Sequence, residues 1–119
     1  MTGLFSYPKR HLKKLIKDGE YAEALEFGRN LESKFTNDYD FMFIMGSIYY
    51  ILEDSKKAIS YFERALSLND SDVETLILKT NAHLSLQQKD DAIKCCKKIL
   101  KIQPDNYEAH GLLENLEDI

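Results

Sequence analysis

Two prolines and five glycines in 119 residues are too few for a loop-rich all-β domain or a disordered chain. Cysteine is scarce as well. Cys95 and Cys96 are the two in the chain, and an adjacent pair is no disulfide framework; it fits a reducing compartment. An excess of basic charge is missing. The net charge of −4 argues against broad binding to nucleic acid or anionic membranes, which needs a basic field. Long apolar runs are missing too: the longest uncharged one, Phe41 to Leu52, falls short of the about 20 residues of a membrane span. The first residues lack the basic stretch and apolar core of a secretory signal. These absences predict a soluble, cytoplasmic chain forming one small domain over 1–119, able to bury about 65% of its unfolded surface.

The signatures of catalysis are also lacking. There is no glycine-rich phosphate loop, no Ser/His/Asp constellation and no carboxylate pair in a predicted cleft, so no enzyme activity and no cofactor are expected. A zinc site built from Cys96, His83 and His110 would want a fourth ligand, and adjacent cysteines on a helix point about 100° apart. The expected metal content is therefore none. Charge, by contrast, is unevenly spread. Lys9, Arg10, Lys13, Lys14 and Lys17 meet no acid from Met1 to Lys17, whereas Glu108, Glu114, Glu117 and Asp118 meet no Lys or Arg from Asn106 onward.

What the chain does contain is a period of 34. At that offset Ala24, Ala58 and Ala92 coincide, as do Leu31, Ala65 and Ile99, and Leu15, Tyr49 and His83. No gap is needed. Three units result, 5–38, 39–72 and 73–106, with 107–119 beginning a fourth. Each reads as two helices. In the middle unit Met42, Met45, Gly46 and Tyr49 share one helical face, Glu53-Asp54-Ser55 interrupts, and Ala58, Phe62 and Ala65 form a second stripe. Asp38, Ser55, Asp72 and Asp105 suit helix starts, and Pro104 both an end and a start. Ser6 and Pro8 resemble a cap and an early helical proline, which predicts a short first helix. Gly46, Ala58 and Ala65 allow helix axes to approach, and Tyr49 and Phe62 fill the flanks.

With these positions the chain resembles the tetratricopeptide repeat (TPR) family, whose 34-residue helix–turn–helix carries an aromatic, Leu-Gly, Tyr, then Ala, aromatic, Ala and Pro. The middle unit supplies Met42, Met45-Gly46, Tyr49, Ala58, Phe62 and Ala65. Asp18-Gly19-Glu20-Tyr21-Ala22-Glu23-Ala24-Leu25 is similar to the family's turn and second-helix start. Departures are Thr80 for Gly, His83 for Tyr and Gly28 for the second aromatic. The resemblance implies an all-α, right-handed α-solenoid of three repeats with a C-terminal capping helix at 107–119, in which Leu112, Leu113 and Leu116 point inward. It also implies that first helices line a concave groove for extended or helical peptides.

Function is therefore sought in apolar residues that the stack does not need. The run 41–52 is apolar all round, and the face left after packing on both neighbours holds Phe43, Ser47 and Tyr50. Repeat symmetry adds Ile77, Asn81 and Leu84, and at the first unit Lys9, Lys13 and Ile16, with Lys17 alongside. The expectation is a peptide-binding groove with a hydrophobic middle and a basic N-terminal end, its partner a protein or peptide with an acidic or hydrophobic segment. Neither nucleic acid nor a membrane is an expected partner. One family subset clamps chaperone C-terminal carboxylates. Lys9 matches that clamp, but Lys13 and Ser47 stand where its two Asn would be, and Glu74 and Leu78 where its Lys and Arg would be, so the clamp is mostly absent. The alternative is a self-associating scaffold, a homo-oligomer through the groove or an end face.

Overall fold

The computed structural model describes the backbone of residues 2–117 and the side chains of residues 7–117. Its period is plainest at the helix ends. Asp38 accepts a bond from the Phe41 N–H (2.9 Å) and starts α3 (Tyr39–Ile51). Asp72 accepts from the Thr75 N–H (3.1 Å) and starts α5 (Val73–Ser85). Asn106 accepts from the Ala109 N–H (2.8 Å) and starts α7 (Tyr107–Glu117). These three caps lie 34 residues apart. The first helix of each pair ends as regularly. Gly19, Glu53 and Gln87, again 34 apart, have φ of 79°, 63° and 59°. At each of them two backbone bonds close the same turn: Gly19 N–H to Ile16 and Glu20 N–H to Leu15, Glu53 to Tyr50 and Asp54 to Tyr49, Gln87 to Leu84 and Gln88 to His83. This is a Schellman closure, which satisfies the last carbonyls of a helix and needs a left-handed residue.

Between these ends lie α1 (Thr2–Lys17), α2 (Tyr21–Leu31) with a 3-10 turn at Glu32–Lys34, α4 (Ser55–Leu68) and α6 (Lys89–Ile102). Three boundaries differ from the sequence expectation. The carboxylate that starts α4 is Asp54, which reaches the Lys57 N–H at 3.2 Å, rather than Ser55. Asn106 takes the role expected of Asp105, so Pro104 stops α6 but lies in the turn before α7. Helix α1 is not short: it is helical from Thr2, and Pro8 stands inside it, where a proline keeps helical φ and forfeits one bond. The Ser6 side chain lies outside the described residues, as do Asp118 and Ile119.

Helices α3 and α4 make the most intimate pair. The Phe62 ring lies directly on the bare backbone of Gly46, where an added Cβ would stand 2.6 Å from a ring carbon. Phe62, Ala58 and Ala65 are fully buried against Phe41, Met42, Met45 and Ile48. At the register of Phe62 the first pair has Gly28, and the Met45 side chain fills the space the missing ring leaves. One core spans α1 to α4, and a smaller one joins Leu66, Leu76, Ile99 and Ala109 across α4 to α7. Of α7 only Ala109 is buried. Leu112, Leu113 and Leu116, expected to point inward, are half-buried, because no further helix lies over α7 among the described residues.

Odd-numbered helices also touch one another, α1 on α3 and α3 on α5, and so form the inner row of the stack. The result is elongated, 49 × 26 × 22 Å, with a radius of gyration of 15.3 Å. A compact chain of this length would have about 13.5 Å.

These turns and contacts set the outcome of glycine substitutions in both directions. Glu53→Gly and Gln87→Gly each relieve a left-handed non-glycine residue and are expected to stabilise by about 0.5–1 kcal/mol in denaturant melts; a loss of stability would contradict the turn geometry. Gly46→Ala must displace the Phe62 ring and is expected to cost about 1–2 kcal/mol despite alanine's better helix propensity. Gly28→Ala meets the flexible Met45 side chain and should cost less.

Candidate functional site

The inner row positions the residues of the expected groove. Between Phe41 and Tyr50 on α3, Phe43, Ser47 and Tyr50 are the half-exposed positions, while the others are buried. They recur every three to four residues, so they share one side of the helix. Phe43 is partly structural. Its ring lies 6.4 Å from Tyr39 and 6.2 Å from Phe62. Ser47 spends its hydroxyl on the Phe43 carbonyl one turn back (2.8 Å). Tyr50 borders a hollow of about 550 Å³ together with Asn81 of α5. Ile51, Glu53, Ser55, Ser85 and Leu86 complete its wall, and the Ser55 and Ser85 hydroxyls bond each other across it. None of those five residues was among the groove residues expected from the sequence. The signal for them was the 34-residue offset of the turns, which brings the end of one first helix beside the end of the next.

The other expected groove residues divide into two groups. Ile16, Ile77 and Leu84 are half-buried, Ile16 against the larger core and Ile77 against the smaller. The lysines are mostly engaged. Lys9 donates to Asp38 at 2.9 Å and stands 3.7 Å from Asp40, and Lys13 stands 3.2 Å from Asp40. Lys17 is exposed and has no ion-pair partner among the described residues. Two of the five basic residues of the N-terminal end, Lys9 and Lys13, are thus paired with acids at the start of α3, which face α1 across the first step of the stack.

Those acids also act as latches between pairs. Asp38 caps α3 while holding Lys9 of α1, and Asp72 caps α5 while accepting the Tyr39 hydroxyl of α3. Burial pulls the Asp38 carboxyl upward, but bonds from Lys9 and the Phe41 N–H hold it below the usual carboxylate value. Asp72 is likewise lowered, its burial outweighed by bonds from Thr75 and Tyr39. The bond to Asp38 raises Lys9 against the opposing effect of burial. Burial and then the bond to Asp72 push the Tyr39 phenol up to about 12. On the outer row, burial and then a bond to Glu32 do the same to Tyr61, again to about 12.

Cys95 and Cys96 are both buried, and burial pushes both thiols up. His83 Nδ1 bonds Gln88 Oε1 at 2.7 Å, reinforcing the turn there, and His110 Nε2 bonds the Pro104 carbonyl at 2.7 Å. Among the described residues no three His, Cys, Asp or Glu side chains converge as metal ligands would. No described helix is long and apolar enough to cross a membrane.

The latches fix a pH profile. A depressed carboxyl stabilises the fold above the unfolded value of about 3.9, and that contribution is lost as pH falls through the folded value. A raised phenol or ammonium stabilises below its unfolded value and loses this as pH rises through the folded one. For the two tyrosines the loss runs from about pH 10 to about 12. Melting temperature should therefore hold a plateau between about pH 5 and about 9.5 and fall on both sides. Tyr39→Phe with Tyr61→Phe should flatten the alkaline limb; an unchanged limb would mean that neither phenol is linked to folding.

No curated protein matches the sequence. Among solved structures, the first TPR of Spaghetti (RPAP3) bound to an HSP90 peptide superposes with a TM-score of 0.84 at 24% identity, covering 94% of this chain and 89% of that one. The second TPR domain of human RPAP3, in complex with an HSP70 peptide, gives 0.82 at 17%, covering 92% of each. PcrH in complex with the chaperone-binding region of PopD gives 0.80 at 11%, covering 99% and 89%. These likenesses are of fold. In sequence, residues 49–116, more than half of the chain, match the tetratricopeptide repeat model. The chain belongs to the tetratricopeptide repeat family.

Proposed function

We propose that this chain is a non-catalytic protein-interaction module of three repeats, 5–38, 39–72 and 73–106, with a capping helix from 107. Its inner face would take an extended or helical segment of a partner. The observation that carries this reading is the row of half-exposed Phe43, Ser47 and Tyr50, whose last member borders the hollow shared with Asn81. Aromatic side chains next to a concavity are favoured anchors, since they bury much area and lose little conformational freedom. The related folds that hold HSP90 and HSP70 peptides or the PopD segment support the class of ligand.

The ligand's character follows from the site. Phe43, Tyr50, Ile77 and Leu84 offer apolar area, and the Asn81 amide can pair with a ligand backbone. Lys9 and Lys13 are already paired, so an acidic flank would have to displace Asp40. We therefore read the segment as chiefly apolar, with Lys17 and Ile16 contacting its end. A second reading, self-association through an end face, is favoured by one observation: α7 leaves Leu112, Leu113 and Leu116 half-exposed and Tyr107 92% exposed.

Phe43→Ala would also loosen the Phe62 contact, so the cleaner probe is Tyr50→Ala with Asn81→Ala. Because Tyr50 packs on the edge of the core, this double variant is expected to keep its helical circular dichroism and a cooperative melt at a modestly lower temperature, while losing partners captured from the native cell by the wild type. Capture of the same proteins by both would reject the groove reading. A mass by light scattering that exceeds the monomer, and falls with Leu112→Glu and Leu116→Glu, would instead select the end face.

A further inference from the structure

On the outer row, the repeat leaves one packing position unfilled. Between α2 and α4 the Tyr61 ring lies on the stack, donates its hydroxyl to Glu32, stacks 5.4 Å from Tyr49, and carries the Arg64 guanidinium 5.0 Å from its centroid. Arg64 also reaches Glu32 at 3.4 Å. Ring, carboxylate and cation form one unit. One step further along, between α4 and α6, the same registers hold Cys95 for Tyr61, Leu66 for Glu32 and Lys98 for Arg64. The cation remains, whereas the ring and the carboxylate are gone. In their place is a hollow of about 330 Å³. Its floor is Leu66, Leu76 and Cys95, all buried, and its rim carries Lys79, Lys94 and Lys98 against a single acid, Glu63. On α5, Leu76 and Lys79 lie opposite Asn81 and Ser85, so this hollow is separate from the inner face.

We infer that the hollow is a second docking site, for a partner segment that presents an aromatic side chain beside carboxylates. Such a segment supplies the two groups that Tyr61 and Glu32 supply one repeat earlier. The ring covers Leu66, Leu76 and Cys95, and the carboxylates meet the three lysines, whose excess over Glu63 sets the sign of the ligand. The site does not depend on the inner-face reading.

The probe is an acetylated Glu-Glu-Phe-Glu-Glu peptide titrated into the isotope-labelled chain. Amide shifts are expected at Leu66, Leu76, Lys79 and Cys95. Alanine in place of the peptide's Phe should weaken binding by about tenfold or more. Cys95→Tyr, which restores the residue of the preceding step, should abolish binding without lowering the melting temperature. Lys94→Glu with Lys98→Glu, both on exposed positions, should weaken it comparably, and this arm stands even if the Cys95 variant folds poorly. Tyr50→Ala should bind as the wild type does. Shifts centred on Phe43 and Tyr50, equal affinity for the alanine peptide, or indifference to the lysine reversals would each overturn the inference.

Discussion

The contact on which the rest depends is the Phe62 ring against the bare backbone of Gly46. A helix pair with bulky residues at its crossing keeps its axes apart and leaves gaps that water or strain must fill. Here one helix contributes no side chain and the other a flat one, so α3 and α4 close on each other and commit their facing stripes. Every other surface of α3 is thereby assigned. Phe41, Met42 and Met45 turn toward the first pair and the core, and Phe43, Ser47 and Tyr50 are left on the inner side. This inner-side row is the remainder of a packing problem solved elsewhere.

That constraint also explains how the repeats differ without losing the stack. The first pair has glycine where the second has Phe62, and Met45, unbranched and adaptable, occupies the vacated volume. In the third step Lys79 stands at the register of Met45 and cannot fill a core, so its stem runs to the edge of the outer hollow. Tyr49, which bonds Arg29 at 3.4 Å, gives way to His83, which turns inward to Gln88. Each repeat thus answers a substitution with its neighbour's side chain or leaves a space. Spaces in a quasi-one-dimensional stack are local, so they specialise one step without disturbing the next.

The period, the helix pairs and the small residues at their crossings were legible in the sequence, because a gap-free offset of 34 places like residues on like surfaces. The caps were legible to within one residue, since Asp54 and Asn106 sit beside the residues expected. Helix α1 was misjudged because Ser6 and Pro8 carry the local signature of a start, and propensity does not show that the helix continues upstream. The ion pairs of Lys9 and Lys13 were not legible either. Seventeen residues without an acid read as a basic patch, yet Asp38 and Asp40 lie across the step from them. Charge runs along the sequence do not give the field when partners come from the next repeat. The half-burial of Leu112, Leu113 and Leu116 was missed for a related reason: periodicity marks an apolar face but not whether anything covers it.

The magnitudes limit how the inner face can bind. Fully burying a large apolar side chain stabilises by about 1.5–3 kcal/mol, so Phe43 and Tyr50, already half-buried, together contribute about 1.5–3 kcal/mol. Association costs at least about 4 kcal/mol. Two anchors on α3 therefore do not hold a partner. A segment bound as proposed would have to continue across the hollow to α5, gaining from Ile77 and Leu84 and from Asn81 bonds to its backbone. Electrostatics cannot substitute for this length. An incoming carboxylate that displaces Asp40 exchanges one exposed ion pair for another, and such pairs are worth about 0–1 kcal/mol. On the proposed reading, recognition on this face would rest on the spacing of apolar side chains along an ordered segment, and the lysines of α1 would govern approach more than affinity.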